Sequence, residues 1–111
     1  MNKRSHIIIY NEKYGYLIML KYKMKKGIYH QLLSGAVEEN ESHEDAIIRE
    51  IKEEIDISVK MNDIKKITDN SLRYYYYMKI SEKNINNIKI SNEHIGYTFI
   101  KKQDFLPLIL Q

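Results

Sequence analysis

The sequence contains no cysteine, which excludes a disulfide framework and thiolate chemistry. No apolar run approaches the roughly 18 residues of a membrane span. The basic start, Met1-Asn2-Lys3-Arg4, is followed by Ile7-Ile8-Ile9, too short an apolar stretch for a signal sequence. Also absent are an internal repeat, Cys/His zinc spacing, a glycine-rich phosphate loop and a Ser-His-Asp arrangement. The four histidines are scattered and propose no site. These absences leave a cytoplasmic protein with no membrane partner as the expectation. With 111 residues, 43% of them hydrophobic, one globular domain over 1–111 is expected, with one modest core.

What is present is an uneven distribution of charge. The net charge is only +3, yet nine of the 15 acids and two of the 18 bases lie between Gly35 and Ile57. That stretch carries −7 and the remainder, with six acids and 16 bases, +10. An acidic segment in a basic shell suits a metal beside a polyanionic substrate. It suits RNA equally, because a nucleic-acid backbone attracts Lys and Arg without sequence readout.

The second half of the stretch, from Ser42 to Ile55, reads as a helix. Ser42 caps its start, and Asp45 three residues on completes a capping-box pattern. At about 100° per residue, with Glu50 at the origin, Glu54 falls at about 40° and Glu53 at about 300°. Ile47, Ile51, Ile55 and Ile48 fall between about 60° and about 160°, an apolar stripe beside an acidic one. Like charges three and four apart destabilise a helix by roughly 0.2–0.5 kcal/mol per pair. Lys52 points elsewhere, while Arg49 reaches Asp45 or Glu53. A hard divalent cation is the simplest remaining partner, since Mg²⁺ takes oxygen ligands and shares them with substrate phosphates. A solvated helix face is the alternative.

The fixed positions of the stretch are Gly35, Glu41, Arg49-Glu50-Ile51, Glu53-Glu54, Asp56 and Ile57. Their spacing resembles the Nudix box, GX5EX7REUXEEXGU, with one departure: Asp56 stands where the family has glycine. This lies at the helix exit, where positive φ is often required, and Asp is among the few other residues that tolerate it. Upstream, Tyr29 to Glu41 is similar to the WQxVTGxxEEGE stretch of Nudix enzymes acting on dihydroneopterin triphosphate and dATP. There His30 replaces the tryptophan, Ser34 the threonine and Asn40 a turn glycine. Downstream, Glu93-His94-Ile95-Gly96-Tyr97-Thr98-Phe99 looks like the family's EHxxYxW element, whose glutamate often serves as a further metal ligand or as the base. His94 reads as structural.

Along the chain, strands are expected at Ser5–Tyr10, Tyr16–Tyr22, Ile28–Leu33, Ile57–Met61 with a continuation towards Ile67, and Leu72–Ile80, the first two forming a hairpin. Lys23 to Gly27 is a basic loop, either a solvated turn or, with Lys21, a contact for substrate phosphate. In Leu72–Ile80, Tyr74 and Tyr76 face one way and Tyr75 and Tyr77 the other. Tyrosine suits plain sheet packing; the sharper reading stacks one of them, Tyr75, on a base or pterin. Ser81 to Ile90 reads as a polar loop. Asp104 is expected to cap a C-terminal helix, with Pro107 in its first turn, and the short end is a candidate homodimer contact.

The resemblance implies an α/β/α sandwich with a mixed sheet and hydrolysis of a nucleoside diphosphate linked to another moiety. It implies Mg²⁺, or Mn²⁺, held by Glu50, Glu53, Glu54 and Glu93, with Glu53 or Glu93 as base and Arg49 orienting a glutamate. Substrate contacts are expected from Lys21, Lys23, Ser34, Gly35 and Tyr75. A small nucleoside or pterin triphosphate is the leading substrate. The alternatives are an RNA 5′-pyrophosphohydrolase and an inactive nucleotide-binding or regulatory module on the same fold.

Overall fold

The computed structural model describes residues 2–109, with the side chain of Ile109 left out. The chain forms β1 (Arg4–Asn11), β2 (Gly15–Lys23), β3 (Gly27–Gln31), β4 (Leu33–Ala36), α1 (His43–Ile55), β5 (Lys65–Asp69), β6 (Arg73–Lys79), α2 (Glu82–Asn86), β7 (Gly96–Ile100) and α3 (Lys102–Ile109). The sheet is mixed. β1 and β6 run parallel, Ile7 opposite Tyr76, and every other pairing is antiparallel. This is the α/β architecture expected.

The hairpin also forms. Asn11 organises its turn: the side-chain oxygen accepts from the N–H groups of Lys13 at 2.8 Å and Tyr14 at 3.0 Å. Gly15 sits at φ +99°, where a Cβ would meet the carbonyl oxygen of Ile100. β1 and β2 pair only at this end, through Tyr10–Tyr16 and Asn11–Gly15. Further along, β1 takes β4 as its partner and β2 takes β3. The single strand expected at 28–33 is therefore two, broken at Leu32 because its halves serve different neighbours.

Strand alternation assigns the faces. Ser5, Ile7, Ile9, Tyr74, Tyr76 and Met78 point to one side, where Ile47, Ile51 and Ile55 of α1 complete a fully buried core. Fully burying one such isoleucine contributes about 1.5–3 kcal/mol, which is why this helix holds despite its acids. On the other side Tyr16 receives Phe105 of α3, with ring centroids 4.4 Å apart. The two helices thus cover opposite faces, giving the sandwich.

Four local expectations are corrected. Residues 57–61 do not form a strand: Ile57 is buried and Val59 packs against the core, but both edges of β6 are already taken by β1 and β5. The chain instead makes a 3-10 turn at Met61–Asp63 before β5. Within 81–90, Ser81 accepts from the N–H of Asn84 at 3.1 Å and starts the short α2, and Ile85 and Ile88 pack on the core. α3 begins at Lys102, so Asp104 lies inside the first turn and caps nothing, and Pro107 falls beyond that turn. Finally, Ser42 accepts from Asp45 N–H at 3.0 Å, the forward half of a capping box, but no reciprocal bond from the Asp45 carboxylate is present among the described residues. The last two residues of the chain, part of the expected subunit contact, lie outside the described residues.

Candidate active site

The site is built on α1 and on the two segments tied to its ends. Ahead of the helix, Asn40 adopts φ +65°, the left-handed geometry that a turn glycine would supply and that asparagine tolerates. The turn it closes brings Glu41 back, so that its carboxylate accepts from Glu38 N–H at 2.9 Å. Arg49 then grips Glu41 with two bonds, Nε to Oε2 at 2.8 Å and Nη2 to Oε1 at 3.1 Å. The same guanidinium donates to Ala36 O at 2.9 Å and to Glu50 Oε1 at 2.9 Å, and leans on Glu53 at 3.3 Å. The fork of Arg49 is thus bidentate to Glu41 and only singly bonded to Glu50. This bonding pushes the Arg49 pKa up, Glu41 first among its causes, and holds the Glu41 carboxyl below the ordinary range.

Behind the helix, Asp56 takes φ +59° and ψ +37°, and its N–H donates to Lys52 O at 3.0 Å. It does the work of the missing glycine, a left-handed residue closing the last turn. Its side chain pairs with Lys52 at 2.9 Å. The next carbonyls are capped from a distance: Ser91 N–H donates to Glu54 O at 3.1 Å and Lys89 N–H to Ile55 O at 3.0 Å. Residues 89–94 are thereby fastened to the end of α1.

That fastening gathers the acids. Glu54 is 4% exposed, and its Oε2 accepts from Ser91 Oγ at 3.2 Å. The Glu93 carboxyl lies against it, within hydrogen-bonding reach. Burial, then the charge of Glu93, pushes the Glu54 pKa up. Glu50 is also raised, chiefly by burial and in spite of Arg49. Its side chain lies directly over Gly35, where a Cβ would come within 2.1 Å of the carboxyl carbon. Glu53 is half exposed.

Buried carboxylates crowded to this degree are short of positive charge, and their all-oxygen donor set fits a hard cation. As the side chains stand, no three acids or histidines among the described residues converge tightly enough to enclose an ion. Glu50, Glu53 and Glu54 share a helix face, and Glu93 joins Glu54 from the loop.

The expected substrate contacts divide between the two faces of the sheet. Lys21 stands close enough to His94 for its charge to act on that ring. Lys23 lies over the ring of Tyr29, 4.8 Å from its centroid, and none of the acids is among its partners. Gly35 underlies Glu50. Ser34, the residue before it, turns to the opposite face, where it accepts from Arg4 Nη2 at 3.2 Å. There a cavity of about 660 Å³ is lined by Arg4, His6, Tyr29, His30, Ser34 and Tyr75, among others. Tyr75 stacks on His6 at 4.8 Å. Burial and the charges of Arg73 and Arg4 bring the His6 pKa down to about 4, so the ring is neutral and its Nε2 faces Arg73 Nη1 at 3.1 Å. A second cavity, of about 500 Å³ between Ser58, Tyr77 and Asn84, lies away from the acids.

Sequence reasoning gave no site role to Ser91 or Gln31 and read His94 as structural; His94 and Ser91 meet Glu54, and Gln31 meets His94. The signal available was the Glu93-His94 pair itself.

The sequence profile of the NUDIX domain matches residues 2–110. The chain belongs to the Nudix family. Its Nudix fold is shared with several solved structures. One is a MutT/nudix family protein from Enterococcus faecalis, with TM-score 0.70 and 19% identity over 86% of this chain and 42% of that one. Another is the E. coli dihydroneopterin triphosphate pyrophosphohydrolase, with TM-score 0.70 and 19% identity over 97% and 86%. A third is a C. elegans Ap4A hydrolase, with TM-score 0.67 and 16% identity over 98% and 87%. The chain spans less than half the length of the Enterococcus protein. Comparison with curated protein sequences gives no match. Nudix hydrolases generally use divalent cations such as Mg²⁺. No helix among the described residues is long and apolar enough to cross a membrane.

Proposed function

We propose that residues 1–111 act as one Nudix pyrophosphohydrolase domain, cleaving a pyrophosphate bond in a small nucleoside or pterin triphosphate. The observation that carries this is the Glu93 carboxyl set against the buried Glu54, one turn along α1 from the half-buried Glu50, which in turn feels the charge of Glu54. Glu50, Glu53, Glu54 and Glu93 would hold Mg²⁺, which neutralises phosphate oxygens and makes water more acidic when bound.

The chain's own residues supply the rest. Lys21 offers a point charge to a phosphate oxygen on the same face of the sheet as the acids. Arg49 holds Glu50 at 2.9 Å and locks the loop before α1 in place. A general base must lie near the attacking water. Glu93 serves better than Glu53, because Glu53 is engaged by Arg49 whereas Glu93 is placed beside Glu54. Ser34 and Gly35 are consecutive and face opposite sides of the sheet. A substrate with its phosphates at Gly35 would reach the cavity with Tyr75 around β4, and the cavity would take the base or pterin. The fold likeness to the dihydroneopterin triphosphate enzyme supports this substrate class.

RNA is the second reading. Among the described residues neither Arg4 nor Arg73 pairs with a carboxylate; Arg4 lines the cavity, and Arg73 meets His6, another residue of its lining. The test is a substrate screen with and without Mg²⁺, then kcat/KM for dATP, dihydroneopterin triphosphate and a 5′-triphosphorylated oligonucleotide in competition. The small triphosphates should win. A tenfold advantage for the oligonucleotide, about 1.4 kcal/mol of transition-state preference, makes RNA 5′-end processing the function. No turnover of any of them makes the domain a binding module.

A further inference from the structure

His94 is among the few buried polar residues of the fold, with 6% of its side chain exposed. Its two ring nitrogens face partners on different elements. Nε2 lies 2.7 Å from the amide nitrogen of Gln31, at the end of β3. Nδ1 lies 2.5 Å from Glu54 Oε2, on α1. The Gln31 amide can only donate from its nitrogen, so Nε2 must be the acceptor and carry the lone pair. In a neutral imidazole the proton is then on Nδ1. The Nδ1–H therefore faces the Glu54 carboxylate. Its line is oblique: Nδ1 has no aligned hydrogen-bond partner although Oε2 is in contact.

Glu54 Oε2 is thus met by Nδ1 and by Ser91 Oγ together. Both contacts are on one oxygen. The other oxygen accepts from no N–H or hydroxyl among the described residues, and the Glu93 carboxyl lies beside the group.

We propose that His94 is a positioning residue for the carboxylate of Glu54: the Gln31–His94 pair fixes the proton on Nδ1, which holds Oε2 and leaves Oε1 directed to a divalent cation. This rests on the functional reading above. His94 itself touches neither substrate nor cation. It acts as the outer partner that orients a ligand, a role whose loss typically weakens metal affinity by about 10–100-fold.

Two substitutions separate orientation from packing. In His94→Asn the side-chain amide nitrogen can occupy the place of Nδ1 and keep the bond to Glu54. In His94→Gln it can occupy the place of Nε2, towards Gln31, and leaves Glu54 without its donor. Mn²⁺ binding is measured by the loss of the free-ion EPR signal on titration, beside the melting temperature and the Mg²⁺ concentration for half-maximal activity. The expected result is Mn²⁺ affinity within about threefold of wild type for His94→Asn and at least tenfold weaker for His94→Gln, with similar melting temperatures. The half-activating Mg²⁺ concentration should rise in parallel in His94→Gln while kcat at saturating Mg²⁺ changes less. Equal Mn²⁺ affinity in both variants, whether retained or lost, overturns the proposal, as does a loss that follows the melting temperature. Wild-type protein that binds no Mn²⁺ overturns the functional reading as well, whereas a binding wild type with an unaffected His94→Gln overturns only the role of His94.

Discussion

Replacing Gly35 with alanine tests the site at the point where its geometry is tightest. The added Cβ would stand 2.1 Å from Cδ, 2.2 Å from Cγ and 2.3 Å from Oε1 of Glu50. Non-bonded carbons rest at about 3.5–4.0 Å, so the carboxyl group must move by about 1.5 Å. The backbone has no reason to follow, because Gly35 lies in β4 without a positive φ. The obstacle is the far end of a flexible side chain, which can swing away at the cost of its 2.9 Å bond to Arg49. A hydrogen bond to a charged group contributes about 1.5–3 kcal/mol. Relief of the buried charge on Glu50, and the reduced freedom of the unfolded chain, worth about 0.4–1 kcal/mol, offset part of that. Net destabilisation of about 1 kcal/mol follows. The catalytic cost is larger. A misplacement near 1 Å can lower a rate about 100-fold, or roughly 2.7 kcal/mol of transition-state stabilisation. Thermal melting and kcat/KM at saturating Mg²⁺ decide it: Gly35→Ala should fold, melt within a few degrees of wild type and lose about two orders of magnitude in kcat/KM. Wild-type kcat/KM in this variant would refute the placement of Glu50 in the site.

Glu54→Gln should abolish hydrolysis at saturating Mg²⁺ while the cation-free protein melts at or above the wild-type temperature. The sign follows from the raised Glu54 pKa: the folded state favours the protonated group, so stability is greatest below the ordinary carboxylate value of about 4.3 and is lost as pH rises through the folded value. Glutamine imitates the protonated form, so the advantage of the variant should widen with rising pH; a constant gap would show that Glu54 is not strained. Mg²⁺ or Mn²⁺ should raise the wild-type melting temperature by mass action and have a smaller effect on Glu54→Gln, and a flat metal titration of the wild type counts against the site. Glu93→Gln should lower kcat far more than the melting temperature, and wild-type rates would remove Glu93 from the chemistry. Asp56→Ala should lower the melting temperature and Asp56→Gly should not, since only the first forces a side chain with no local hydrogen bond into the left-handed region; equal losses would assign the role of Asp56 to its pairing with Lys52 instead.

The helix, its stripes and its spacing could be read from the sequence because both depend on residues a few positions apart. The same holds for the hairpin, the alternation of the tyrosines in β6 and the left-handed Asp56. What could not be read depends on partners far along the chain. Nothing near Leu32 announces that β3 and β4 pair with different strands. Ile57 and Val59 alternate like a strand but pack on a core whose sheet positions are already filled. His94 looked structural because its partners, Gln31 and Glu54, are 63 and 40 positions away in the sequence and meet it only once residues 89–94 fasten to α1. The division of Lys21 from Ser34 and Tyr75 likewise follows from strand register, which local patterns leave open.

The parallel pairing of β1 with β6 also bears on how the protein is made. Each residue of β1 finds its β6 partner 69 positions later. A nascent chain therefore carries α1, with Ile47, Ile51 and Ile55, well before Met78 and Ile80 emerge to cover that stripe. Contacts of such long range close slowly, and an uncovered apolar helix face is vulnerable to aggregation meanwhile. The last piece of the site to arrive, the segment from Ser91 to His94, is also the one that closes around Glu54. A chain interrupted before that point has its acids on a helix and no site, so the chemistry is withheld until synthesis has passed nearly all of the fold.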